Sequence, residues 1–143
     1  MKRIFSFVLA VATVFCLSAC NSQKSSAIEP TEWKMATIQS GTEGTVIFCS
    51  ESEKKNFPEA SVKNITCTID EMAITIKDTE TDKEWTGTYT ENDVTKDRAI
   101  YDVTFGEEAG QIVNSLTKHE NDTEPQNTLV IACGDYTLYF FVE

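Results

Sequence analysis

Period-two alternation runs through most of this chain and constrains its fold more than any other feature. Ile65, Cys67 and Ile69 alternate with Thr66, Thr68 and Asp70, and after Glu71 the pattern resumes with Met72, Ile74 and Ile76 against Ala73, Thr75 and Lys77. Trp85, Gly87 and Tyr89 alternate with Thr86, Thr88 and Thr90; Tyr101, Val103 and Phe105 alternate with Asp102 and Thr104. Successive side chains of a strand point to opposite faces, so each run predicts a strand with one apolar and one polar face. Leu129, Ile131 and Cys133 lead through Gly134-Asp135 to Tyr136, Leu138, Phe140 and Val142, the signal of a hairpin. Trp33 to Ile38 and Thr45 to Ser50 also read as strands, rich in the β-branched and aromatic residues that suit a pleated surface.

Two segments are ambiguous. Between Glu107 and His119, Ala109, Ile112, Val113 and Leu116 fit a helical face, but Gly110 and the β-rich neighbours favour a strand over Gln111 to Lys118. Glu51 to Ser61 is a charged loop with room for a helical turn before Pro58. The pattern as a whole predicts an all-β fold, an antiparallel up-and-down meander of about eight or nine strands. A meander of that length hides its edges by closing into a barrel. A two-sheet sandwich is the alternative.

The N-terminus follows a different rule. Lys2 and Arg3 precede the apolar run Ile4 to Leu17, which ends in Leu17-Ser18-Ala19-Cys20. Charge, apolar stretch and small residues, in that order, form an export signal, and the run is too short for a good spanning helix. The last four residues resemble the lipobox of bacterial lipoproteins. That resemblance implies diacylglyceryl transfer to the Cys20 thiol and cleavage just before it. It places the protein on the extracytoplasmic side of the cell envelope, anchored by lipid at Cys20. The anchor lies in the plasma membrane of a Gram-positive cell; in a Gram-negative one, Asn21 in place of Asp points to the outer membrane. The expected organisation is a signal peptide over 1–19, a lipidated end and polar tether over 20–32, and one β domain over 33–143. Trp33 at the start of that domain, Trp85-x-Gly87-x-Tyr89 in its middle and the aromatic last strand resemble the small lipocalin-like lipoproteins of bacteria, which implies a barrel but no particular ligand.

Composition narrows the partners. The chain of 143 residues carries a net charge of −11. Without Lys2 and Arg3, the remaining 10 basic and 23 acidic residues give −13. Nucleic acid, which needs a basic stripe, is excluded, and so is charge-driven binding to an anionic bilayer.

No catalytic signature is present, and no enzyme activity, cofactor or metal is expected. His119 lies in a polar run with no Cys or His at ligand spacing and no Gly-x-Ser-x-Gly elbow elsewhere. The alternating acids Asp78, Glu80, Asp82 and Glu84 fail the EF-hand pattern, because Lys83 stands where its glycine belongs and Tyr89 where its closing Glu belongs. They read as a charged hairpin tip. Once Cys16 leaves with the signal and Cys20 takes lipid, Cys49, Cys67 and Cys133 remain, enough for one disulfide at most, with no pairing favoured. Cys67 and Cys133 share the inward parity of their strands, whereas Cys49 is expected to face outward.

The remaining candidates are aromatic. Trp85, Tyr89, Tyr101, Phe105, Tyr136 and Phe140 hold the apolar parity and either line a pocket for an apolar ligand or fill the barrel. Tyr139 and Phe141 hold the opposite parity of the last strand, where an exposed pair would mark a contact surface. A monomeric binding module for a small apolar ligand or surface molecule is the leading expectation. The alternative is a protein-interaction lipoprotein (an inhibitor, immunity or assembly protein) whose acidic surface meets a basic partner.

Overall fold

A computed structural model of the chain describes residues 28, 32–117 and 123–142. The described residues form the strands β1 (Glu32–Ser40), β2 (Thr45–Cys49), β3 (Ser61–Val62), β4 (Ile65–Ile69) and β5 (Ala73–Asp78). The chain continues through β6 (Lys83–Val94), β7 (Arg98–Phe105), β8 (Glu108–Thr117), β9 (Gln126–Cys133) and β10 (Tyr136–Phe141).

The architecture is an antiparallel up-and-down barrel. From β4 to β10 each strand pairs with the next, β10 pairs with β1 and β1 pairs with β4, so eight strands close a ring without a free edge. β1 uses Glu32 to Lys34 against β4 and Thr37 to Ser40 against β2. β2 and the short parallel β3 are therefore outside strands that extend the wall at one end of the barrel. Among the described residues no helix is long and apolar enough to cross a membrane.

The alternating residues fill the inside. At the end where β1 begins, Trp33, Met35, Ile74, Tyr101, Ile112, Leu129 and Phe140 are buried with no more than 2% exposure. Burying each such side chain contributes about 1.5–3 kcal/mol. Tyr89 meets Tyr101 edge to face, with ring centroids 5.6 Å apart, and its hydroxyl donates to Asp70 O at 2.5 Å. This end of the barrel is solid.

Several expectations need correction. Ile28 falls in the segment read as tether, yet it is 0% exposed and belongs to the core. Four residues before Glu32, it lies within ~14 Å of the start of β1, so it packs into the solid end. The folded unit therefore reaches back to residue 28 at least. Because the ring closes within 32–142, a chain beginning at Asn21 carries the whole described core.

Met72 continues the parity of Ile74 and Ile76 but is 72% exposed, because β5 starts only at Ala73. The Asp70 carboxylate accepts from Met72 N at 3.0 Å and Ala73 N at 2.8 Å, and this turn holds Met72 outside the barrel. Cys49 does face away from the barrel core, as parity requires, but it is fully buried. The 51–60 loop covers it, and its thiol lies 4.0 Å from Phe57 O. That loop contains one helical turn, with Phe57 N donating to Glu53 O at 3.1 Å. The 107–119 ambiguity resolves as strand, over Glu108 to Thr117. Gly110 is required there by the sheet: a Cβ at this position would collide with Ala132 O and press on Cys133.

Candidate functional site

The other end of the barrel is open. There the inward-facing side chains enclose an apolar cavity of about 400 Å³, within the range of small-molecule sites. Ile65, Ile76 and Ile131 form its floor, and these side chains also belong to the core below. Its walls are Ile38 of β1, Phe48 of β2, Phe105 of β7 and Leu138 of β10. Trp85 and Tyr136 stand at the mouth, 40% and 52% exposed.

The sheet register sets this composition. Each wall residue continues an inward parity toward the mouth: Ile74 and Ile76 lead to Asp78, Tyr101 and Val103 to Phe105, Leu129 and Ile131 to Cys133. Gly87, on the same face of β6, makes room for the Phe105 ring, which a Cβ there would meet at 2.8 Å. The Phe105 ring thus lies against the wall, in the space that a side chain on Gly87 would take.

The six aromatic candidates divide into two groups. Trp85, Phe105 and Tyr136 line the cavity. Tyr89, Tyr101 and Phe140 pack in the core, away from it. Tyr139 and Phe141 are half-buried, and the Tyr139 hydroxyl lies 3.4 Å from Gln39 Oε1. Sequence reasoning missed the polar residues of the cavity. Asp78 and Glu108 hold inward parity and were legible from it; Lys63, placed by the β3–β4 connection, left no local signal.

Lys63 Nζ lies 2.9 Å from Asp78 Oδ2, and Asp78 is buried. The Lys63 ammonium holds the Asp78 carboxyl below its ordinary range, aided by Glu80 N and Thr81 N, which donate to Oδ1. The same hydrogen bond raises Lys63. Glu108 lines the cavity with no cationic partner among the described residues. The Cys133 thiol sits 4.0 Å from Glu108 Oε2, and burial, then the Glu108 charge, pushes it up.

The acidic run does not converge. Asp78 turns inward to Lys63, while Lys77 pairs with Asp82 at 3.0 Å and Glu84 at 3.5 Å. Among the described residues no group of three or more potential metal ligands gathers. Cys49, Cys67 and Cys133 are free thiols. Cys20 and His119 lie outside the described residues. Compared with protein-family models, curated proteins and solved structures, the chain matches none.

Proposed function

We propose that the protein is a non-catalytic binding module that holds a small apolar ligand in the open end of its barrel. The observation that carries this reading is the division of the barrel into a solid end and an aromatic-walled cavity of about 400 Å³. A barrel of eight strands is wide enough either to be filled by its own side chains or to hold one small ligand, and the open end here matches the second case. The lipobox-like Leu17-Ser18-Ala19-Cys20 supports an extracytoplasmic site of action, with the module tethered to the membrane by lipid at Cys20.

The neutral fluorophore N-phenyl-1-naphthylamine tests the binding role. A chain from Asn21 is expected to enhance its emission saturably, and Trp85→Ala or Phe105→Ala to weaken that binding. Absence of saturable binding would refute the reading. Cys20→Ala in the full chain tests the anchor: it should remove the protein from the membrane fraction or leave it unprocessed, and unchanged extraction would refute the lipid.

A further inference from the structure

One hydrogen-bonding group of the cavity wall has capacity to spare. Lys63 Nζ donates to Asp78 Oδ2 at 2.9 Å, and Asp78 is its only hydrogen-bond partner among the described residues. An ammonium has three N–H donors, so two remain. The same Nζ lies 5.6 Å from the centroid of the Phe48 ring, so the ammonium is held over the apolar lining, between Asp78 and Phe48. The Lys63 side chain is 28% exposed, on the side of the open cavity that it lines.

The other polar groups of the wall are spent or wet. Asp78 Oδ2 accepts from Lys63, and Oδ1 from Glu80 N at 3.0 Å and Thr81 N at 3.3 Å. Glu108 is exposed, and so are Trp85 and Tyr136 at the mouth and Lys83 over the Trp85 ring, so water serves these groups. A wholly apolar ligand filling the cavity would strip water from the two spare N–H groups of Lys63 and leave them unpaired, which costs more for a charged donor than for a neutral one. A ligand oxygen in that place takes over from the water. It need bring no charge, because Asp78 already offsets the ammonium. A carboxylate would give up its own hydration and add a second negative charge beside Asp78.

We infer that the ligand carries a neutral acceptor oxygen, that of a ketone, ester or alcohol, at Lys63, with its apolar body among Phe48, Phe105 and Leu138. This rests on the binding role proposed above and specifies its ligand class. Lys63 is then a specificity residue, since a site that hydrogen-bonds an oxygen discriminates against the analogue lacking it.

Equilibrium dialysis of two naphthalenes of one shape against a chain from Asn21 tests the inference: 2-acetonaphthone, which has a carbonyl, and 2-isopropenylnaphthalene, which has a methylene in place of that oxygen. The ratio of their affinities should fall at least about fivefold in Lys63→Met/Asp78→Asn. That variant removes the ammonium without leaving a buried charge, and Asn keeps an acceptor for Glu80 N and Thr81 N. Lys83→Met should leave the ratio unchanged. A ratio that survives the double substitution, or that falls equally with Lys83→Met, would overturn the contact. The carbonyl carbon-13 resonance of bound 2-acetonaphthone keeps the test decisive if the double variant folds poorly. It should lie downfield of its position in hexane, and a hexane-like position would overturn the hydrogen bond. A third probe, 2-naphthoate, should bind at least about tenfold more weakly than the ketone. Equal binding would overturn the neutral class and leave the apolar pocket standing. Failure of all three to bind would overturn the pocket itself.

Discussion

A methyl group on Gly87 would stand 2.8 Å from the ring of Phe105, so the two residues share one site in the barrel wall. The same methyl would meet Thr104 O at 2.9 Å, and that backbone atom has little freedom to yield. Gly87→Ala is therefore expected to destabilise the barrel by about 1–3 kcal/mol, the usual cost of overpacking. Adding Phe105→Ala should recover part of that loss, so the double variant will be less than additive. Urea titrations of the four proteins measure the coupling; strict additivity would mean that the ring and the glycine do not share the site.

Lys63 and Asp78 make part of the stability pH-dependent. The folded Asp78 carboxyl titrates below its ordinary value, first because Lys63 donates to it. Its contribution is thus fully present above the unfolded carboxyl pKa of ~4 and is lost as pH falls through the lower folded value. Asp70, lowered by the backbone N–H groups of Met72 and Ala73, acts in the same direction. Thermal melts from pH 6 to about pH 2 should show Asp78→Asn losing less stability across the acid limb than the parent. An equal loss would show that the pair does not set this limb.

The three thiols of the β domain should react in a fixed order. Burial pushes the Cys67 thiol up to about 12, and Cys49 is fully buried under the 51–60 loop. Cys133 is the partly exposed one, at the cavity wall. Ellman's reagent should label Cys133 first and slowly, since its thiol is also raised, and should find all three only after denaturation. Decanol in the cavity should slow the first phase. Early labelling of Cys67 would contradict its burial.

Ile28 extends the domain beyond the first strand. It is fully buried in the core, so Ile28→Ala should cost about 2–5 kcal/mol even though it precedes every strand described. Chemical denaturation decides this, and a change under about 0.5 kcal/mol, the level of a surface substitution, would place Ile28 outside the cooperative unit.

The alternation around Cys67, Tyr89, Val103 and Ile131 made the all-β barrel legible, because a strand with one buried face leaves a direct imprint on its sequence. Boundaries set by turn chemistry were harder to read: Met72 keeps the inward parity but lies outside the barrel, because Asp70 closes the turn beneath it. Ile28 was hidden inside a polar segment whose composition resembles a linker. Half of the aromatic candidates reach the cavity and half do not. Parity fixes which face a residue occupies, but height along the barrel follows from the register between strands, which no single run encodes. Lys63 illustrates the same limit, since its partner Asp78 lies 15 residues away across the mouth.

Trp85 stands at the mouth of the apolar cavity and Trp33 is sealed in the opposite end, so the two tryptophans report on the site separately. Trp33 is 2% exposed and Trp85 40%. In acrylamide quenching of a chain from Asn21, one tryptophan should be accessible and the other protected. Saturating decanol should then shield the accessible one, and in Trp33→Phe, where Trp85 alone remains, that shielding should account for the whole change. Quenching of Trp85 that is unaltered by saturating decanol would contradict a ligand site at this end of the barrel.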